Sequence, residues 1–176
     1  IIPVNNRIGF VGRLDHPPNY LGINLLLEEI EKQKIQTNLR LVGAPTSWGM
    51  KIQNRYDFVT YVGELNDNEL TEEVKTWNLL CNTVFWYSTG VTTKVGWAIG
   101  LGLPFISTTP GIRGYKWDKG KILIAESPAA MAEKIKHYLS DSSQKTWLIK
   151  QMQLIGTSGI TIDYLSNNVT EFFHNN

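Results

Sequence analysis

Short apolar runs ending in glycine alternate along the chain with longer segments that place apolar residues on one side of a helix. "RIGFVG" (7–12), "NLRLVG" (38–43) and "DFVTYVG" (57–63) share the first plan. They predict strands that stop at a turn. "CNTVFWYS" (81–88) is aromatic and β-branched, so a strand is expected there as well. "PFIST" (104–108) and "KILIA" (121–125) complete a set of about six. Between them, "NYLGINLLLEEIEKQ" (19–33) carries Leu21, Asn24, Leu25 and Glu28 at helical spacing, with its apolar positions to one side. "NDNELTEEVKTWNLL" (66–80) opens with cap residues and early acids. "TTKVGWAIGLG" (92–102) reads as a short helix broken by glycines. "SPAAMAEKIKHYLS" (127–140) has Ser at the cap and Pro at the first helical position. Two further helices are expected at about 142–155 and 160–174.

The predicted order is β-α-β-β-α-β-α-β-β-α-α-α. Such alternation implies an α/β fold, a mostly parallel sheet covered by helices. The strands read as near-continuous apolar runs, as strands buried on both faces do. In such sheets ligands bind beyond the carboxyl ends of the strands. Here those ends are "VGRLDHPPN", "VGAPTSWG", "VGEL", "YSTGVTTK" and "STTPGIRG". Four of the five have glycine within their first few residues, which lets a ligand approach the backbone.

The 176 residues fit a single domain large enough to hold its own core. Hydrophobic residues make up 42% and charged residues 19%, an ordinary globular composition. The net charge of +1 gives no nucleic-acid footprint. Three scattered histidines (16, 137 and 174) do not suggest a metal site, and none is expected. Cys81, the sole cysteine, lies in an apolar run and reads as a core thiol, which suits a reducing compartment. No stretch is apolar for the ~18 residues of a membrane span. The opening "IIPVNNRIGF" has no signal-peptide pattern and reads as a linker running into a strand. On that reading Asn168-Val169-Thr170 is a chance sequon.

Two cations stand at strand ends. Gly90-Val91-Thr92-Thr93-Lys94 is a glycine turn leading into a helix N-terminus, where free N–H groups, the helix dipole and a cation suit a phosphate. A lysine in the first turn opposes the dipole, and a bound anion would give it a reason. A solvated surface lysine fits this stretch equally well. The stretch lacks the spacing of a Walker loop. Arg13 lies at the mouth of the first strand and is suited to forked contact with phosphate oxygens, or to a surface ion pair. Together Arg13 and Lys94 favour a diphosphate more than either alone. No nucleophile–base set is visible. His16 reads as turn chemistry before Pro17-Pro18, or else as a polar tip in a cleft.

The ordered set "GFVGRLDHPPNYLGINLLLEEI … LRLVGAP … VTYVGEL … TKVGWAIGLGLPFISTTPGIRG … GKILIAESPAAMAEKI" resembles the C-terminal domain of family 4 glycosyltransferases of GT-B architecture. The likeness runs from about residue 7 to 140. It implies that residues 1–176 form one Rossmann-like, sugar-nucleotide-binding half, a three-layer sandwich with a helical C-terminal tail. An N-terminal half would bind the acceptor. The implied reaction is retaining transfer from a nucleoside-diphosphate sugar to a glycan or lipid-linked acceptor, without a metal or other cofactor. The expected setting is cytoplasmic, and peripheral to a membrane in a longer protein. By position, Arg13 and Lys94 would hold the diphosphate and steady the leaving group. Gly12, Gly90, Thr92 and Thr93 would let the phosphates approach. Gly43, Pro45, Tyr61, Val62 and Gly63 would line the base pocket, largely through backbone groups.

Three departures from the family pattern bear on function. Members usually carry a ribose-binding Glu three residues after the lysine, where this chain has Trp97. Tryptophan cannot accept a hydrogen bond; it offers one N–H and an apolar face, suited to stacking on the sugar or base of the substrate or to filling the cleft. A second lysine is common shortly after the arginine, where this chain reads Asp-His-Pro-Pro-Asn. Arg113 stands where an acid is frequent. The alternative to a working enzyme is therefore a non-catalytic member with a degenerate donor site, serving in assembly or weak binding. A GT-B sugar-nucleotide epimerase is a third reading, for which no acid/base carboxylates stand out.

Overall fold

A computed structural model of the chain describes residues 3–86 and 90–158. Six parallel strands form one sheet: β1 (Arg7–Val11), β2 (Asn38–Val42), β3 (Val59–Gly63), β4 (Leu79–Cys81), β5 (Phe105–Ser107) and β6 (Leu123–Ile124). Their spatial order is β3-β2-β1-β4-β5-β6. Six helices join and cover them: α1 (Pro17–Lys32), α2 (Thr46–Gln53), α3 (Asp67–Val74), α4 (Thr93–Gly100), α5 (Pro128–Ser140) and α6 (Ser142–Ser158). A single 3-10 turn occupies Pro110–Ile112.

Strand alternation divides the apolar residues between two cores. Ile8 and Phe10 of β1, Leu39 and Leu41 of β2, and Leu79 and Cys81 of β4 pack against Ile23, Leu27 and Ile30 of α1 and Met131 and Ile135 of α5. Val42, Leu80 and Phe105 point the other way, into a core closed by Val74 of α3 and Val95, Ala98 and Ile99 of α4. Trp77 fills the centre of that second core, lying flat against Gly9 of β1. A Cβ at Gly9 would sit 2.1 Å from its ring. The indole N–H donates to Glu73 (2.9 Å), which also takes a forked pair of hydrogen bonds from Arg40 of β2 (2.7 and 2.9 Å). Burial of Glu73 opposes its ionisation. The bonds from Arg40 and Trp77 and the charge of Arg40 outweigh it, so the carboxyl lies below its usual range. Cys81 is fully buried, as expected, and burial pushes its thiol up to about 12.

The structure amends the predicted elements in three places. First, a helix, α2, separates β2 from β3, where a direct strand-to-strand link was expected. Only Gly49 and Ile52 of α2 are buried, while Trp48 and Met50 are exposed. Eight residues with a central glycine and no apolar stripe give no helical signal. Second, the helix expected over 66–80 ends at Val74, and Leu79 and Leu80 belong to β4. The chain breaks so that Trp77 can turn under the sheet and Asn78 can start the β1 ladder, its N–H donating to Arg7 O (2.7 Å). Third, β4 stops at Cys81 rather than running to residue 88. Beyond it, one more backbone bond, from Asn82 N–H to Ile106 O (2.9 Å), continues the ladder before side chains replace it. Asn82 donates to Ser107 Oγ and to Gly111 O, both at 2.9 Å, and the Thr108 hydroxyl donates to Val84 O. Thr83 lies so close under α1 that a Cβ at Gly22 would sit 2.0 Å from its carbonyl oxygen. The helix expected at 160–174 lies outside the described residues.

Candidate functional site

The chain reverses direction across the sheet between β1 and β4, since β2 and β3 lie to one side of β1 while β5 and β6 lie beyond β4. At such a switch point the flanking loops diverge and leave a crevice above the carboxyl ends. A cleft of about 500 Å³ occupies it, a size typical of small-molecule sites. The loop after β1 contributes Gly12, Arg13 and His16, α1 contributes Asn19, and α4 contributes Thr93, Lys94 and Trp97. Asp67 and Leu70 reach in from α3.

Lys94 is half-buried and is not a solvated surface lysine. Its ammonium lies 4.5 Å from the centre of the Phe10 ring and donates to Asn19 Oδ1 (3.2 Å). It takes no part in an ion pair among the described residues. Burial without a counter-charge brings it down from an ordinary lysine to about 8. Asn19 also donates to Arg13 O (2.9 Å), so one side chain ties the β1 loop to the lysine. Gly12 leaves the space between them. A Cβ there would sit 2.9 Å from Asn19 Nδ2 and 3.4 Å from Lys94 Nζ, on a backbone with φ +154°. Gly43 packs against the same loop, and a Cβ on it would meet Gly12 O at 2.0 Å.

Arg13 forms the surface ion pair that was its other reading. Its guanidinium grips Asp15 in a fork (2.9 and 2.6 Å) with 71% of its side chain exposed. The hydrogen bond and charge of Asp15 raise the arginine, and those of Arg13 lower the aspartate. His16 serves as turn chemistry, its carbonyl accepting from Asn19 and Tyr20 (both 3.0 Å) at the start of α1, and it also lines the cleft.

Tyr115 braces the first turn of α4. Gly96 N–H donates to the Tyr115 hydroxyl (3.1 Å), which donates to Thr92 O (2.8 Å). The phenol thus replaces a direct bond between the two. Thr92 supplies no side-chain cap, and its carbonyl also accepts from Val95 N–H (3.1 Å). Gly90, at φ +76°, accepts from Arg113 through its carbonyl.

The remaining expected positions sit on neighbouring strand ends and do not line this cleft. Pro45 follows a cis peptide bond at the start of α2. The Tyr61 ring lies under α2 against Gly49, and its hydroxyl donates to Gly43 O (2.8 Å). Val62 packs into the second core. Gly63 accepts from Gly43 N–H (2.8 Å). Among the described residues no three His, Cys, Asp or Glu side chains gather as metal ligands. No helix among them is long and apolar enough to cross a membrane.

A half-buried lysine beside Gly12 and a helix N-terminus thus stands at the switch point of a parallel sheet, where folds of this class bind their ligands. The chain belongs to the glycosyl transferases group 1 family, whose model matches residues 5–141. No curated protein matches it by sequence. Its fold is that of GT-B glycosyltransferases. HepE from Anabaena, solved with UDP and glucose, superposes with a TM-score of 0.69 at 14% identity, over 98% of this chain and 49% of that one. Sucrose-phosphate synthase from Thermosynechococcus elongatus gives 0.69 at 19% identity, over 99% and 49%. The C-terminal domain of LpcC, a glycosyl transferase group 1 family protein from Francisella tularensis, gives 0.68 at 16% identity, over 89% and 87%. The chain therefore spans about half the length of HepE and of sucrose-phosphate synthase, and nearly all of an isolated C-terminal domain.

Proposed function

We propose that this chain is the sugar-nucleotide-binding half of a retaining glycosyltransferase that acts in the cytoplasm on a glycan or lipid-linked acceptor. The observation that carries the proposal is Lys94, a half-buried ammonium without a carboxylate partner among the described residues, beside Gly12 and the first turn of α4. Family membership and the UDP-bound relative of the same fold support it.

In this reading the donor diphosphate lies over Gly12, with Lys94 on one side and the Thr92–Thr93 amides below. Arg13 joins it by exchanging Asp15 for phosphate oxygens. As transfer proceeds, the bond between the anomeric carbon and the diphosphate oxygen breaks, and both electrons leave with the diphosphate. Lys94 and Arg13 stabilise the charge that develops, so a metal is not required. The acceptor hydroxyl forms the new bond on the face the diphosphate leaves, and its proton passes to the departing diphosphate oxygen. Gly43, Pro45, Tyr61, Val62 and Gly63 frame the base from adjacent strand ends. A second domain of similar fold supplies the acceptor side, so this chain by itself binds donor weakly and transfers nothing.

Trp97 favours a second reading, a non-catalytic relative whose donor site has degenerated. The two readings separate in calorimetric titrations of the chain with UDP, GDP, ADP and dTDP. A working site binds one nucleotide, and Lys94→Ala weakens it about tenfold, equivalent to about 1.4 kcal/mol. A degenerate site binds none, and Trp97→Glu gains binding.

A further inference from the structure

Helix α6 is apolar on more than its buried side. Leu148, Met152 and Ile155 enter the two cores, yet Trp147 and Leu154 stand exposed. These two are separated by two helical turns, so they share one flank of the helix. Lys150, also exposed, lies between them on the outer side. The sequence of α6 contains no acidic residue.

The connection from β5 to β6 brings more cations to the same flank. It is pinned to α6 at Gly120, which only a glycine allows. A Cβ there would meet Ile155 at 2.6 Å and Gln151 O at 2.7 Å, on a backbone with φ +93°. Trp117, packed against the second core, donates from its indole to Gly120 O (3.2 Å) and fixes the turn. Gln151 lies one turn from both Trp147 and Leu154, so the turn sits beside the exposed apolar pair. Lys116, Lys119 and Lys121 are exposed around it, and Asp118 is the only acid between residues 110 and 125. None of these lysines, nor Lys150, belongs to an ion pair among the described residues, whereas Lys32 and Lys75 pair with glutamates of their own helices.

Cations of one sign around exposed tryptophan and leucine narrow the choice of partner. Water satisfies the lysines but not the apolar pair. A nucleic acid satisfies the lysines and offers nothing to Leu154. An anionic bilayer satisfies both. Lysine stems lie along apolar surface while their heads meet lipid phosphates, tryptophan favours the headgroup level, and leucine favours the acyl boundary. We propose that this flank of α6 and the β5–β6 turn form a docking surface for an anionic lipid bilayer. The surface adjoins the β6 edge of the sheet, away from the β1–β4 cleft, and the proposal stands independently of the nucleotide reading.

The test is co-sedimentation of the chain with vesicles of phosphatidylcholine alone and of equal parts phosphatidylcholine and phosphatidylglycerol. Wild type should partition about tenfold more strongly onto the anionic vesicles and leave them as salt rises from about 0.1 to about 0.5 M. The double variant Lys119→Gln/Lys150→Gln should lose about tenfold. Lys34→Gln/Lys136→Gln, an equal charge change beside a different groove, should lose little. Trp147→Gln should weaken partitioning several-fold. Thermal melting checks that each variant is folded. Equal partitioning onto both vesicle types, no partitioning at all, or equal losses in the two double variants overturns the proposal. So does a Trp147→Gln variant that partitions like wild type, or a DNA duplex that displaces the chain from vesicles at equal phosphate. Calorimetry with nucleotides on the same samples reports the cleft separately, so either reading can fail while the other stands.

Discussion

Lys94 brings three physical facts together. It sits in the first turn of a helix, where the dipole opposes a cation; it is half-buried; and it has a neutral amide and an aromatic ring as neighbours in place of a carboxylate. The amide oxygen and the ring face favour the ammonium, but burial outweighs them and brings it down to about 8. A bound diphosphate reverses that balance by favouring the charged form. Affinity should therefore be level below about pH 8 and fall above it, by up to about tenfold per pH unit, as free Lys94 loses the proton the complex retains. Titrations from pH 7 to 10 check this. Lys94→Ala should bind weakly at every pH, without the fall; a wild type whose affinity does not change across that range has its nucleotide elsewhere. Lys94 was legible in the sequence because a cation in a glycine-led first helical turn is out of place. Asn19 and Asp67 were not. Asn19 acts from a helix start that meets Lys94 only through the fold. Asp67 sits where helices favour acids for their own stability, so its type and position are fully accounted for without a ligand.

At the scale of elements, α4 presents the site and Tyr115 holds it in place. The phenol bridges Gly96 N–H and Thr92 O, keeping the entry to the helix in a fixed shape although the two backbone groups do not bond each other. Tyr115→Phe leaves both groups without that bridge. It should destabilise the chain by ~1 kcal/mol and weaken nucleotide binding several-fold through the displaced first turn. Thermal melting and calorimetry on one sample check the pair of effects. Unchanged affinity beside reduced stability would show that the bridge does not shape the site. The long, strongly patterned elements, β1, α1, β2 and α5, fall close to where the sequence puts them. The misjudged ones depend on distant partners. Helix α2 has little apolar surface to announce it, and the 82–85 segment has strand composition but, past one last ladder bond, is held by Ser107, Thr108 and α1.

At the scale of the molecule, one sheet carries two cores and offers the site at one end only. Helix α6 closes both cores, giving Leu148 to the first and Met152 and Ile155 to the second. The strand order puts β1 and β4 side by side, and that adjacency brings residue 13 within reach of residue 94. Sequence pattern implied the parallel sheet and its functional edge, but not which two loops would meet. A smaller groove lies at the opposite end, around Asn78, Pro104 and Ile149. The account's central claim is that a nucleoside diphosphate binds at the β1–β4 switch point. The most direct measurement is an amide-resolved NMR titration of the ¹⁵N-labelled chain with the tightest-binding nucleoside diphosphate. The account predicts that the largest shifts fall on Gly12, Arg13, Thr93 and Lys94, with smaller ones on Asp67 and Trp97. Shifts concentrated around Asn78 and Ile149, or none at all at millimolar nucleotide, would contradict it.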